Sequence, residues 1–489
     1  MPAAQPLNII LLMTDQHRAD HVGFLPGARL ATPHLDRLAE SVGFSNCQTV
    51  NPICTPARAA LLTGKYTHQI GMLSMSGDLS LQHPTYPRAL QRAGYWTAGV
   101  GKFHWLQGWP WGTARGQGHD LVALRPRIQE YGFDHVWESA GKQLALRNYC
   151  DYGAYLREHG LLERFRDHVE ACGPNVQDPA KTRFTGDPWP FAEEHYVDHV
   201  TGREIRRAIA ARPAGKPFFL FGSFCGPHKP YDPPRSFLER FPLAEEDNFL
   251  PGAPALTPEV KQRLYRLRRA YQAMIAVIDA EVGLILDQLA REGLLDSTVL
   301  LFTSDHGEML GDHARLSKQQ PWRQSVTVPT AIRHPAYLGR RVCPAPIELT
   351  DLTATILDLA GLDPQQALRK NWPAFHDRVP CRSLLPVVRG EATSVRDAAF
   401  AECNGQWQLL QSAGWKYIRY LGGLGGQPPP REELYDLARD PGEQHDRAAD
   451  PVCRDVLAEL REARVRLLDA TPPAQLGWAP FAAQATASQ

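Results

Sequence analysis

The chain has 489 residues, 43% of them hydrophobic and 22% charged, proportions that exclude wholesale disorder, a collagen-like fibre and a disulfide scaffold. Its 53 Lys and Arg balance 53 Asp and Glu, so no global field draws it to nucleic acid or to an anionic membrane, and any preference for anions has to be local. The 9 cysteines are odd in number and scattered singly without a Cys-x-x-Cys pair, which fits neither a disulfide framework nor a structural zinc site and suits a reducing cytoplasm.

The first apolar run, residues 7–13, lacks the basic flank and small-residue cleavage site of a secretory signal and reads as a strand. No apolar stretch approaches the length of a membrane span, so a soluble protein with no membrane partner is expected. Short apolar runs bounded by Gly, Pro or Asp follow at residues 97–100, 217–221 and 298–303, the pattern of buried parallel strands. Between the last two, Leu264, Leu267, Tyr271, Met274, Ile278, Val282, Ile285 and Leu289 recur at three- and four-residue steps, which predicts an amphipathic helix stopped by Gly293. Its Lys261, Arg263, Arg266, Arg268 and Arg269 read as a solvated face rather than a polyanion patch.

Residues 109–200 are irregular, as insertions that shape a pocket would be. After a helix at residues 352–360 the texture changes near Val379. Strands are expected at residues 407–410 and 416–420, a Gly-rich loop tip at 422–426 and a strand-like piece at 433–437. A closing helix uses Val452, Val456, Leu457, Leu460 and Leu467, and residues 471–489 form a tail or an oligomer contact. The expected architecture is α/β: a mostly parallel central sheet flanked by helices in residues 1–378, and a smaller α+β subdomain with an antiparallel sheet in residues 379–489.

Two strand-like runs end in residues that suit hard cations, Thr14-Asp15-Gln16 after the first and Ser304-Asp305-His306-Gly307-Glu308 after the last of the four. Ligands of open α/β sheets gather beyond the carboxyl ends of strands, so these distant segments can meet at one site. Asp15 and Asp305 are candidate carboxylate ligands, the Gln16 amide favours Ca2+ or Mg2+, and His306 suits a transition ion such as Mn2+. The structural alternative is that an Asp after a strand only caps a helix. A third segment, residues 51–65, reads as a turn feeding a helix that begins near Pro56. Cys54 would sit at the positive end of that helix, where free N–H groups stabilise an anion, with Arg58 about one turn on and pointing back.

With these residues in place a resemblance is plain. Cys54-x-Pro56-x-Arg58 followed by Leu62-Thr63-Gly64 resembles the modification motif of the formylglycine-dependent sulfatases, in the alkaline phosphatase superfamily. Residues 94–104, ending Lys102-Phe103-His104, resemble that family's second stretch; Asp15, Asp305 and His306 match its metal positions, His228 of Gly226-Pro227-His228-Lys229-Pro230 its mid-chain His, and Lys318 the Lys that follows. Residues 433–437 with Asp440-Pro441 resemble its C-terminal ending.

The resemblance implies a sulfuric ester hydrolase that acts on an aryl or carbohydrate sulfate, with Cys54 oxidised to formylglycine by a formylglycine-generating enzyme. One divalent metal would lie on Asp15, Gln16, Cys54, Asp305 and His306, with Ca2+ the leading candidate and Mn2+ or Mg2+ the alternatives. Arg58, Lys102 and Lys318 would surround the sulfuryl oxygens, His228 with Lys318 would protonate the leaving group, and His104 would assist deprotonation of the nucleophile.

Gln16 stands where a second Asp is common in the family and His306 where Asn is frequent, a combination that also occurs in phosphonate monoester hydrolases and choline sulfatases. A phosphonate monoester or phosphodiester hydrolase is therefore the alternative, and an unmodified sulfated-glycan binding protein a third reading. Lys102 and His104 tip the choice toward sulfate. Trp105, Trp109, Trp111, Trp189, Tyr231 and Trp322 are candidates to stack on a sugar or enclose an aryl or cationic group, and Arg323 and His334 to bind a second anionic group.

Overall fold

Strand β1 (Asn8–Asp15) lies near the middle of a nine-stranded sheet, parallel to β5 (Phe218–Pro227) on one side and to β6 (Thr298–Ser304) on the other. Every residue of β5 and β6 is buried, because helices cover both faces, and this is why these runs are continuously apolar rather than alternating. The remaining strands are β2 (Val42–Gln48), β3 (Trp96–Gly101), β4 (His135–Glu138), β7 (Thr327–Arg333), β8 (Arg341–Cys343) and β9 (Ile347–Glu348). Their order is β4-β3-β5-β1-β6-β7-β2-β8, with β9 also paired to β2. Only β7 runs against its neighbours, so the sheet is mostly parallel, as expected. The computed structural model describes residues 6–75, 77–106, 118–243, 245, 247–252, 254–369, 378–422 and 429–473.

The long helix spans Pro258–Arg291, and its apolar stripe is buried as the periodicity predicts. The Thr257 side chain accepts a hydrogen bond from the Val260 amide at the start, and Gly293 turns left-handed (φ 68°) just past the end. Its cationic face is not simply solvated. Arg268 pairs with Asp312 at 3.0 Å and donates to the Leu310 carbonyl, Arg269 donates to the carbonyls of Phe241 and Leu238, and Arg263 to those of Pro179, Ala180 and Thr182. These arginines staple loops to the helix. No helix among the described residues is long and apolar enough to cross a membrane.

The segment expected to be irregular contains β4 and the helices Asp151–Glu158, Leu162–Ala171 and Val197–Ala210. A second sheet follows in which β10 (Ala398–Cys403), β11 (Trp407–Ser412), β12 (Trp415–Tyr420) and β13 (Arg431–Asp436) form an antiparallel meander. Val379, Cys381 and Leu384 pack with the large core. The closing helix runs Arg454–Ala470 and buries Leu457 and Leu460 against Tyr417 and Leu434. Val452, expected on its apolar face, lies in the preceding turn and is 87% exposed, because Asp450 caps that turn and the helix starts two residues later. Most of the expected Gly-rich loop tip, and the tail beyond Pro472 and Pro473, lie outside the described residues.

Candidate active site

The carboxyl ends of β3, β5, β1 and β6 lie side by side, and each delivers polar side chains to one place. Asp15 ends β1, Asp305 and His306 follow β6, Lys102 follows β3 and His228 follows β5. The turn out of β3 requires glycine: Gly101 has φ +109°, and a Cβ there would sit 1.9 Å from the Ser223 carbonyl oxygen. That approach lets the Lys102 amide donate to Ser223 O at 2.9 Å and turns its side chain inward. The motif helix spans Cys54–Thr63, is buried throughout and ends on left-handed Gly64. Cys54 is its first residue, so its side chain stands at the positive end.

Ligand atoms of Asp15, Cys54, Asp305 and His306 all lie within 4.8 Å of one another, and all four residues are buried. The His306 Nδ1 donates to the Gly307 carbonyl at 2.9 Å, which leaves the Nε2 lone pair toward the group, 3.3 Å from Cys54 Sγ. Gln16 sits in the left-handed region (φ 69°) with its amide on Asp305 Oδ1 at 3.0 Å, while its Oε1 is buried without a hydrogen-bond partner. An orphaned buried carbonyl oxygen beside two carboxylates and an imidazole is the donor chemistry of a divalent cation, so the residues present fit one.

Cations balance this cluster. Lys102 pairs with Asp15, and Arg58 Nε donates to Asp305 Oδ2 at 2.8 Å while Nη1 holds Ser223 Oγ at 2.8 Å. Arg58 Nη2 has no hydrogen-bond partner. Burial would raise Asp15, but Lys102, His228, Arg58 and Lys318 overcome it and hold the carboxyl well below the usual carboxylate range. Burial and Asp15 also act to raise the Cys54 thiol, and Lys318, Lys102 and His306 outweigh them, so it lies below its ordinary value.

Lys318 Nζ is 2.6 Å from Cys54 Sγ, 2.9 Å from His306 Nε2 and 3.5 Å from His228 Nε2. His228 Nδ1 donates to the Lys229 carbonyl at 2.8 Å and His104 Nε2 to the Ala140 carbonyl at 3.2 Å. These bonds fix the tautomers, so His228 presents its Nε2 lone pair to Lys318 while His104 Nδ1 is buried and unpartnered. Burial holds both imidazoles well below their ordinary range, for His104 assisted by the charges of Lys102 and Arg58. Cys54, Lys102, His104, His228 and Lys318 line one cavity of ≈ 470 Å³ whose outer wall includes Arg147 and Arg183.

Several expected contacts do not form. Trp105 is 2% exposed and stacks on Phe103 at 5.0 Å in the core, Trp189 packs on Phe191 and Tyr196, and Trp322 stacks on His313 at 4.3 Å. Neither these nor Tyr231 lines the cavity. Trp109 and Trp111 lie outside the described residues. Arg323 faces a different cavity and donates to the Pro441 carbonyl, and His334 is bonded to Ser41, so neither reaches the centre. Sequence reasoning passed over Ser223, which holds Arg58, and Glu138, whose carboxyl accepts from the amides of Phe103 and Ala140, and it gave no role of its own to Glu308, bonded to Gln16. Of these only Glu308 carried a signal, two residues after His306.

The Sulfatase family model matches residues 7–362. An arylsulfatase from Clostridium perfringens is 27% identical over 467 residues, covering 89% of this chain and 89% of its own. A choline-sulfatase from Rhizobium meliloti is 27% identical over 499 residues, covering 94% and 86%. In structure the chain is similar to the phosphonate monoester hydrolase of Agrobacterium radiobacter, with a TM-score of 0.74 at 23% identity over 96% of this chain and 97% of that one. The family implies a metal ion and a formylglycine, and the buried Asp15, Cys54, Asp305 and His306 are a group that can hold such an ion. With the match running through strands β1 to β9 and every motif of the centre, this chain belongs to the Sulfatase family, the sulfuric ester hydrolases.

Proposed function

We propose that the protein hydrolyses an aryl or carbohydrate sulfate monoester, with residue 54 in its formylglycine form as the nucleophile. The observation that carries this is the position of Cys54 Sγ, 3.3 Å from His306 Nε2 in the metal-ligand group and 2.6 Å from Lys318 Nζ on the pocket side. Oxidised by a formylglycine-generating enzyme, residue 54 would supply a geminal diol, one hydroxyl to attack sulfur and the other to expel sulfate, which a thiol cannot do. A divalent cation held by Asp15, Gln16, Asp305, His306 and residue 54 would supply Lewis-acid charge at the attacking and sulfuryl oxygens. Ca2+ is the first ion to test because oxygen donors predominate, with Mn2+ and Mg2+ beside it because of the imidazole.

The chain's own groups do the rest. Lys102, Lys318 and the unpartnered Nη2 of Arg58 hold the sulfuryl oxygens. The free Nδ1 of His104 accepts the proton of the residue-54 hydroxyl. His228 Nε2, sharing a proton with Lys318 Nζ across 3.5 Å, delivers it to the leaving oxygen. The cavity wall shows no aromatic cage among the described residues and carries Arg147 and Arg183, which favours a polar sugar or aryl alcohol over a quaternary ammonium such as choline. Eight of the nine free cysteines are buried, which suits the reducing cytoplasm we propose for it.

The test is hydrolysis in 18O water, with the mass of the residue-54 peptide measured on the same sample. The reading requires an aldehyde at residue 54 and label in the released sulfate, not in the alcohol. Label in the alcohol, or turnover with Cys54 wholly unmodified, contradicts it. Hydrolysis of phosphonate monoesters is the second reading, favoured by the pairing of Gln16 with His306, and Lys102 and His104 in the cavity favour sulfate over it.

A further inference from the structure

A carboxamide can turn either its oxygen or its NH2 toward a cation, and only the oxygen binds one. We propose that Glu308 is the positioning residue that settles this choice for Gln16, and that the same carboxylate pins the loop carrying Lys318. The inference rests on the reading of Gln16 as a metal ligand.

Glu308 is fully buried. Its Oε2 accepts from Gln16 Nε2, and its Oε1 accepts from the Leu310 amide at 3.1 Å and from the Ser317 amide. A carboxylate offers acceptors only, so a flipped Gln16 would set oxygen against oxygen between two fully buried side chains. The Gln16 backbone is held separately, by its amide on Asp305 Oδ1 at 3.0 Å and by the Tyr271 hydroxyl donating to its carbonyl at 2.6 Å. The remaining freedom is the side chain's, and Glu308 removes it. The Glu308 backbone is in turn held, since Arg18 Nη1 donates to the carbonyls of Glu308 and Met309 at 3.3 and 3.1 Å.

The loop from β6 to β7 is held by the same carboxylate. Leu310, His313, Ala314, Ser317 and Gln319 all have φ between 45° and 74°, a conformation that non-glycine residues hold only when their surroundings impose it. The Ser317 amide, one residue before Lys318, is imposed upon by Glu308 Oε1. One carboxylate thus links the orientation of a ligand from the β1 end to the place of the lysine beside Cys54.

The test reverses the polarity of the pair in the full-length, metal-stripped protein and reads the affinity for Mn2+ by calorimetric titration. In Glu308→Gln the new NH2 meets the Gln16 NH2, so Gln16 must flip and turn Nε2 to the ion; affinity should fall by about 10-fold or more. Adding Gln16→Glu to that variant restores an acceptor opposite the new amide while keeping an oxygen for the ion, and affinity should return to within about threefold of the parent. A merely structural Glu308 would lower the melting temperature, leave the Mn2+ affinity within about twofold of the parent by the same double-mutant logic and show no rescue, and that result overturns the inference. If Glu308→Gln alone does not fold, the comparison is Gln16→Glu, which puts two carboxylates face to face, against the double variant: a double that binds Mn2+ at least about 10-fold tighter supports the pairing, and equal affinities overturn it. Gln16→Ala separates the two levels. Unchanged affinity there defeats the ligand reading and this inference with it, whereas a loss there without one in Glu308→Gln defeats the inference alone.

Discussion

Two of the ionic clusters that the chain buries differ in completeness. At the junction of the two sheets Arg396 pairs with Glu348 at 2.9 Å and with Asp351, Glu348 also accepts from the Tyr66 hydroxyl and the Phe400 amide at 2.9 Å, and Asp351 accepts from the Arg382 and Glu348 amides at 2.8 Å. None of these side chains leaves a buried polar atom unpartnered. At the carboxyl edge of the large sheet Gln16 Oε1, Arg58 Nη2 and His104 Nδ1 are all left over. A buried polar atom without a partner costs stability, so a cluster that keeps three of them is built for groups that arrive later, whereas the saturated one is built to hold the chain together.

This contrast can be broken by mutation. The largest effect is expected from Cys54→Ala, which removes the nucleophile while the melting temperature stays near that of the parent; kcat for a sulfate ester should fall by about 10⁴-fold or more. His228→Ala should lower kcat by about 10²-fold or more on a sugar sulfate, whose leaving oxygen needs a proton, and far less on 4-nitrophenyl sulfate, whose phenolate does not. Equal losses on the two esters would take His228 out of the acid role. At the junction the signature reverses. Arg396→Leu strands Glu348 and Asp351 and should cost about 3–5 kcal/mol in denaturant unfolding, with Mn2+ affinity of the folded fraction unchanged.

The smallest effect sharpens the comparison by pH. Burial pushes the Glu138 carboxyl up to about 8, against the pull of the Phe103 and Ala140 amides. The folded state therefore holds a proton that the unfolded chain gives up near its ordinary carboxyl range, and stability is greatest below that range and declines as pH rises toward 8. Glu138→Gln keeps an oxygen for both amides and removes the titration, so it should raise the melting temperature by about 2–4 °C at pH 8 and change it little at pH 4. A shift of the same size at both pH values would refute the assignment.

What could be read from the sequence followed from how uniform each signal was. The runs that became β1, β3, β5 and β6 are continuously apolar because both faces are covered, and they announced themselves. Strand β2 did not, because it buries Asn46 and Gln48 on hydrogen bonds of 3.1 Å with each other and with Thr327, and polar residues in a short run read as loop. Strand β4 has only four residues. At the site, the six motif segments named Asp15, Cys54, Arg58, Lys102, His104, His228, Asp305, His306 and Lys318, and the chain brings them to one place. The partners that hold them were hidden: Glu138, Ser223 and Glu308 act through contacts 35, 165 and 292 residues away in the chain, which no local pattern records. Trp105, Trp189, Tyr231 and Trp322 missed the cavity for the opposite reason, since a large ring is as useful to a core as to a ligand.

The most direct measurement is a pair of rate constants, kcat/KM for 4-nitrophenyl sulfate and for a 4-nitrophenyl phosphonate monoester, on protein co-produced with a formylglycine-generating enzyme and loaded with Mn2+ or Ca2+. One leaving group serves both esters, so the ratio reports how the centre, with Lys102, His104, Arg58 and Lys318 around it, receives the transferred group rather than how it expels the phenolate. The account predicts a clear preference for the sulfate. A preference for the phosphonate, with an aldehyde present at residue 54, would contradict it.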